Sequence, residues 1–354
     1  MTAPEAVSRR SAALTAQLRL TERLFASRED KAMARTIDEG LERVEAGILE
    51  QVAFHDQVAD VRSRYLLAAG GKRVRPVLTL LTAQLGDGVT DDVVTAAQAV
   101  EILHVGSLYH DDVMDEAAER RGVPSAQEVW GNSVAILTGD LLFARASKLI
   151  AGIQGSTGIL GQAEVFERLV LGQLHETVGP EPDQDPVDHY LQVLEDKTGA
   201  LIAAAAEWGA SFSHAPEDTR EPLATFGRRI GVAFQLIDDV IDLAPEEADT
   251  GKHAGTDLRA GVPTLPLLLL RRRAATDAGD RALLQRIEAL SADDPDDAVA
   301  TTVAELRAHP VTAETRAEAM RWADSAKAAL DPLPAGTVRR ALIRFADLLV
   351  DRSN

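Results

Sequence analysis

Two acidic pentapeptides carry the chemistry-bearing residues of this chain. They are Asp111-Asp112-Val113-Met114-Asp115 and Asp238-Asp239-Val240-Ile241-Asp242, and both read DDxxD. Each closes an apolar run: Ile102, Leu103, Val105 and Leu108 precede the first, and Val232, Phe234 and Leu236 the second. On a helix the first and fifth positions share a face, so each motif offers two carboxylates one turn apart with a third acid beside them. Gly122 and Pro124 after the first motif, and Pro245 after the second, place both in the last turns of their helices. The helix dipole disfavours carboxylates at that end by roughly 0.3–1 kcal/mol each, so compensating cations are required. Such oxygen ligands suit a hard ion, and Mg²⁺ bridging them to substrate phosphates is the natural candidate. One such motif reads equally well as a solvated helix end. Two copies on apolar helices point to metal.

The rest of the chain makes any phosphate site a local matter. Lys and Arg number 37 against 56 Asp and Glu, a formal charge of −19. That field argues against a nucleic-acid partner and repels phosphorylated substrates unless metal or clustered cations intervene. Such clusters are present. In Gly70-Gly71-Lys72-Arg73-Val74-Arg75-Pro76 the glycines break one helix and Pro76 suits the first turn of the next. A helix N-terminus among cations is an anion site, although the stretch also reads as a basic turn on an acidic surface. Arg120-Arg121 follow the first motif closely enough to reach what its acids bind; the alternative is i,i+4 pairing of Arg120 with Glu116. His104, Ser107, Asp111 and Asp115 form one stripe, on which His104 reads as a core histidine or as a second contact to the same ligand. Lys197 lies among small residues and either snorkels to solvent or faces a ligand.

The elements that must position these groups read as helices throughout. The chain has 354 residues, 45% of them hydrophobic, with abundant Ala and Leu and little β-branched alternation. Helices are expected over 33–70 (with Ile37, Leu41, Val44, Ile48 and Val52 facing inward), from 91 until near Gly122, and over 134–150, 162–174, 190–212 and 226–243. In the last third they fall at 267–275, 282–290, 298–307, 313–330 and 337–350. Loops fall at 177–185, 277–280 and 291–297, and the polar stretch 244–257 is a candidate lid. Residues 1–30 read as an arm and first helix, without an apolar signal core, and a transit peptide is the alternative there; residues 31–354 read as a single helical domain. No cysteine is present, which fits a reducing cytoplasm. No apolar run approaches the roughly 20 residues of a membrane span.

The ordered set resembles the trans-isoprenyl (polyprenyl) diphosphate synthases. It comprises Gly71-Lys72-Arg73-Val74-Arg75-Pro76, the first DDxxD with Arg120-Arg121-Gly122, Lys197-Thr198, Phe234-Gln235 before the second DDxxD, Gly255-Thr256-Asp257-Leu258, and Thr264-Leu265-Pro266. The resemblance implies an all-α, isoprenoid-synthase-type bundle around a deep central cavity, usually a homodimer. It implies head-to-tail condensation of isopentenyl diphosphate with an allylic diphosphate, using Mg²⁺, about three ions once diphosphate is bound. By position, Lys72, Arg75, His104 and Arg121 would hold isopentenyl diphosphate. Asp111, Asp115 and Asp238 would bind Mg²⁺, supported by Asp112, Asp239 and Asp242. Arg120, Lys197, Thr198, Gln235 and Lys252 would face the allylic diphosphate. The sequence departs from the family at Gly261-Val262-Pro263-Thr264, where many members carry a lysine in place of Val262.

In this family, bulk just ahead of the first DDxxD limits product length, and here Gly106 and Ser107 stand there. The resemblance therefore implies an all-E product longer than geranylgeranyl diphosphate, with a farnesyl or geranylgeranyl synthase as the shorter-chain alternative. Phe143 on the next helix is another residue able to close the floor. A class I terpene cyclase shares the cavity and metal chemistry but needs no second diphosphate site. A non-catalytic regulatory subunit could lose an acid motif, yet both are intact.

Overall fold

The computed structural model describes residues 21, 23–25, 30–153, 158–244, 255–259, 261–290 and 296–351. These are almost entirely helical, as the composition requires; among the described residues the only strands form one two-residue hairpin. The chain divides into two compact units. The first comprises residues 1–166, 201–227 and 330–344, and the second 167–200, 228–329 and 345–354.

In the first unit, α1 (Lys31–Gln51) buries Ile37, Leu41, Val44 and Ile48, the stripe its periodicity predicts. Helix α2 (Gln57–Ala68) begins at Asp56, whose side chain accepts from the Ala59 N–H. Helix α3 (Val74–Thr82) follows the glycine break with Pro76 in its first turn. The central element is α4 (Asp91–Met114), started by Thr90, whose hydroxyl accepts from the Val93 N–H, with Asp91 and Asp92 in its first turn. Most of its length is buried, from Val93 to Tyr109. Helix α5 (Ala126–Trp130) leads into α6 (Asn132–Gly152), which lies directly against α4. A Cβ on Gly106 would stand 3.1 Å from the Phe143 ring and 3.3 Å from the Gly139 carbonyl oxygen. Gly106 thus serves close packing of α4 on α6, whatever else it does.

Helix α4 ends earlier than the sequence suggests. It stops at Met114 rather than near Gly122, and Glu116 adopts a left-handed φ of 49°. The chain then forms β1 (Glu119–Arg120) and β2 (Val123–Pro124), antiparallel, with Arg120 opposite Val123. Arg121 (φ 55°) and Gly122 (φ 69°) make the two-residue turn, the double positive-φ geometry that matches strand twist. Gly122 therefore marks a hairpin corner rather than a helix stop.

Helix α7 (Gly158–Val178) runs from the first unit into the second and extends beyond the expected 162–174, so the following loop is shorter than predicted. In the second unit, α8 (Pro186–Leu194) is capped by Asp185. A π turn, Glu195–Gly199, joins it to α9 (Ala200–Phe212), whose residues from 201 belong to the first unit. Helix α10 (Arg220–Asp242) carries the second acid motif in its last turns. Helices α11 (Thr256–Arg259), α12 (Leu265–Ala274), α13 (Ala278–Glu288), α14 (Asp296–Ala308), α15 (Pro310–Ala329) and α16 (Thr337–Val350) complete the chain. The expected loop at 277–280 is instead the start of α13: Asp277 accepts from the Asp280 N–H as its cap.

The π turn and α10 touch backbone to backbone. A Cβ on Gly231 would fall 2.6 Å from the Gly199 Cα, and one on Gly199 would fall 2.7 Å from the Arg228 carbonyl oxygen. A Gly231→Ala variant is therefore expected to lose about 1–3 kcal/mol of stability, read as a lowered urea midpoint at unchanged slope.

Candidate active site

The cations of the first unit gather around a buried acid. Arg73, at the start of α3, adopts φ 51° and turns its guanidinium inward. It is bonded to Glu45 on α1 and donates from Nη1 to Glu101 on α4 at 2.7 Å. Arg121 donates to the same carboxylate oxygen at 3.3 Å, to the Leu66 carbonyl at 2.9 Å and to the Gly70 carbonyl. Gly71 makes room: a Cβ there would lie 2.9 Å from Arg73 Nη1 and 3.1 Å from the Arg121 guanidinium. Burial acts to raise the Glu101 carboxyl, but the fields of Arg73, Arg121 and Arg75 outweigh it and hold the group below its ordinary range.

The four residues expected to hold isopentenyl diphosphate stand differently in this cluster. Lys72 is exposed, and Arg75 and Arg121 are half-buried. Arg75 keeps a buried Nε without a hydrogen-bond partner. Burial, only partly offset by Glu101, lowers its ordinarily very basic guanidinium to about 10. His104 is pushed well below its ordinary 6.5, chiefly by burial and then by Arg75 and Arg121, so its imidazole is neutral at pH 7. It can donate one N–H to an anion but brings no charge.

The first acid motif splits by burial. Asp112 is fully buried, whereas Asp111 is half-exposed and Asp115 exposed at the helix end. Arg120 donates from Nε to Asp112 Oδ1 at 2.6 Å, so it reaches the acid motif, and the alternative pairing with Glu116 gives way to a link between hairpin and motif. Asp112 Oδ2 is buried with no protein partner. Burial raises the Asp112 carboxyl despite Arg120. Ser107 is half-exposed on the Asp111 side and donates to the His104 carbonyl at 2.8 Å. Phe143 packs edge-on against His110, with ring centroids 5.2 Å apart, and against Phe166 at 4.6 Å.

The second unit holds the other acid motif. Asp239 is buried; its Oδ2 accepts from the Tyr190 hydroxyl at 2.8 Å and from the Leu265 N–H at 3.3 Å. Burial pushes its carboxyl up to about 7, against those two bonds. Asp242 accepts from the Asp257 N–H at 3.2 Å, tying the motif to α11. Asp238 and Gln235 are half-exposed. Lys197 sits in the π turn, a distortion frequent at functional sites, and pairs with Glu176 at 2.6 Å rather than merely reaching solvent. Thr198 is half-buried beside it. Val262 donates its N–H to the Asp257 carbonyl at 2.9 Å, so the backbone is fixed where many family members carry lysine. Lys252 and most of the expected lid lie outside the described residues.

Sequence reasoning passed over Glu101 and Tyr190. The signal for Glu101 was available, since it is the one charged residue within an otherwise apolar stretch of α4. Tyr190 gave none, because its partner is distant in sequence and only folding joins them.

An all-α fold with two DDxxD motifs at helix C-termini defines the isoprenoid-synthase class. The chain matches the Polyprenyl synthetase family model over residues 56–306; it belongs to that family and is a prenyltransferase. It is 41% identical over 325 residues to a nonaprenyl diphosphate synthase of Mycobacterium tuberculosis, covering 91% of this chain and 95% of that one. Among solved structures it resembles a polyprenyl synthase from Caulobacter crescentus complexed with calcium and isoprenyl diphosphate. That match has TM-score 0.81 and 31% identity, over 94% of this chain and 98% of the other. It also resembles a geranylgeranyl pyrophosphate synthase from Corynebacterium glutamicum, with TM-score 0.77 and 38% identity over 93% and 98%.

Because His104 is held neutral, it links stability to pH. The unfolded chain takes up its proton first as pH falls through 6.5, so the native state loses stability on acidification and has its full stability above that value. Between about pH 7 and pH 5.5 the wild type should lose more stability than His104→Gln, measured as urea midpoints. Equal losses would show that the histidine is not kept neutral.

Proposed function

We propose that this protein is a divalent-metal-dependent prenyl diphosphate synthase. It joins isopentenyl diphosphate head to tail to an allylic diphosphate and makes an all-E polyprenyl diphosphate longer than geranylgeranyl. The observation that carries this reading is the basic cluster of Arg75, Arg121 and neutral His104, in the same unit as an intact acid motif. A cyclase has no use for that second diphosphate site. The buried, unpartnered Nε of Arg75 is what an anion-binding group looks like without its anion.

The acids fit a hard cation. Asp112 Oδ2 is a buried oxygen without a donor, and Asp111 and Asp115 lie beside it at a helix end that disfavours negative charge. Among the described residues no three His, Asp or Glu side chains converge tightly enough to hold an ion by themselves. An ion there would complete its shell with water and diphosphate oxygens, the habit of Mg²⁺. Asp111 and Asp115, with Asp238 from the second motif, are the proposed ligands, supported by Asp112, Asp239 and Asp242. The calcium and isoprenyl diphosphate of the Caulobacter relative support this reading.

When bound, the metal would neutralise the diphosphate leaving group as its charge grows. Arg120, Lys197, Thr198, Gln235 and Lys252 orient and hold the allylic diphosphate, and Lys72, Arg75, His104 and Arg121 hold isopentenyl diphosphate. Electrostatic stabilisation of the departing group does the work, so no nucleophilic side chain is needed. Apolar helix faces keep water from the allylic cation until the alkene attacks it. The proton then lost passes to the released diphosphate, and no dedicated base is required.

Residues 31–354 act as one catalytic domain in this reading. The protein works in the cytoplasm as a homodimer; exposed Ile136 and Leu137 on α6 and Ile159 and Leu160 on α7 suit a second copy. Among the described residues no helix is long and apolar enough to cross a membrane.

Mass analysis of products from isopentenyl diphosphate plus farnesyl diphosphate tests the proposal. Products longer than geranylgeranyl are expected only with both substrates, and chelation should slow the reaction at least about 100-fold. Turnover of the allylic substrate alone would favour a cyclase. Ser107 sits on the half-exposed Asp111 face, so Ser107→Tyr should shorten the mean product; an unaltered product distribution would remove Ser107 from that role.

A further inference from the structure

The arginines of the basic cluster are not placed by their own helices alone. Arg73, Arg75 and Arg121 come from the start of α3 and from the hairpin turn, where Arg73 and Arg121 both adopt left-handed φ values. Like-charged guanidiniums repel one another, as Arg121 acts on Arg75 and Arg73 on Arg121, and positive-φ backbone is costly for residues with a Cβ. One carboxylate offsets both costs. The Glu101 side chain is 2% exposed, and its Oε1 accepts from Arg73 at 2.7 Å and from Arg121 at 3.3 Å. Arg75 feels the same negative charge without a hydrogen bond to it. Glu45, the other acid of the cluster, is bonded to Arg73 and is one-third exposed.

We propose that Glu101 is the positioning residue of the isopentenyl diphosphate site. It locks Arg73 as a structural cation, fixes Arg121 in the turn where it faces the diphosphate, and leaves Arg75 with an unpartnered N–H for the same ligand. The assignment rests on the functional reading above. It divides the Lys72-Arg73-Val74-Arg75 stretch into a buried strut at Arg73 and ligand-facing groups at Lys72 and Arg75. It also explains why a carboxylate occurs beside an anion site: besides it, among the described residues, the Leu66 and Gly70 carbonyls hold the Arg121 guanidinium.

Steady-state kinetics on the full chain test this, varying each substrate in turn. Glu101→Gln removes the charge and should raise KM for isopentenyl diphosphate about tenfold; Glu101→Asp keeps the charge but draws it back, and should raise it about threefold. In both variants kcat and the allylic KM should stay within about twofold of wild type. Glu45→Gln, which removes the more exposed acid bonded to Arg73 but keeps Glu101, should leave all three parameters within about twofold. An unchanged isopentenyl diphosphate KM in a folded Glu101 variant overturns the proposal. So does a rise in both KM values together with a lowered melting temperature, the mark of a merely structural acid. If Glu101→Gln fails to fold, Glu101→Asp decides, because it preserves the buried charge balance. If the wild type does not consume isopentenyl diphosphate, the functional reading fails first. Calorimetric binding of inorganic pyrophosphate without added metal then judges Glu101 separately: weaker binding by Glu101→Asp than by wild type sustains it, and equal binding ends it.

Discussion

A carboxylate sealed among helices is tolerated only when cations are sealed in with it, and the Glu101–Arg73 pair imposes that condition on the first unit. Both side chains are 2% exposed. Desolvation of each charge costs several kcal/mol, so the pair persists only with close geometry and additional bonds. Arg73 therefore takes the Leu67 and Gly70 carbonyls as well as Glu45 and Glu101. That demand dictates the glycine break before α3, because a side chain at Gly71 would collide with the guanidiniums. It also draws the hairpin turn towards α4, since Arg121 shares the same acid. Local strain at Arg73 and Arg121 is thus balanced by a network that no single element could make.

The same logic, with the charges reversed, governs the acid motifs. Each DDxxD has a buried middle carboxylate and more exposed partners. Asp112 is held by Arg120, and Asp239 by the Tyr190 hydroxyl and the Leu265 N–H. Burial raises both carboxyls, so each is a group whose charge is poorly compensated by protein alone. In both motifs the middle acid is thus the buried one, held by neighbours outside the motif. The two motifs therefore share a division of labour that the repeated letters do not express.

Packing sets how closely the helices that bear these groups approach. Gly106 against Phe143 and Gly139, and Gly199 against Gly231, bring helices nearly into backbone contact. At the second crossing one helix runs as a π turn that ends at Gly199, and Lys197 is part of it. The sequence shows these glycines inside helical stretches that Ala and Leu favour, but their role as spacers depends on which helix lies opposite. Gly106 illustrates the point: its place ahead of the first motif suggested a part in product length, and its environment adds a packing duty that any substitution must also satisfy.

Much was determined by the sequence alone. Helical periodicity, the absence of alternating strands and the Pro and Gly punctuation specified the all-α class and most helix positions, because these are local preferences repeated over many turns. The order of short motifs specified the family, since each motif pairs residue type with spacing. Tertiary structure decided the rest. The roles of Glu101 and Tyr190 come from side chains meeting across 28 and 49 residues, and even nearer in sequence the hairpin at 119–124 and the choice of Asp112 over Glu116 as the partner of Arg120 were settled only by the folded backbone. A buried charge takes whichever partner the fold delivers within hydrogen-bond reach, and sequence spacing carries no record of that distance.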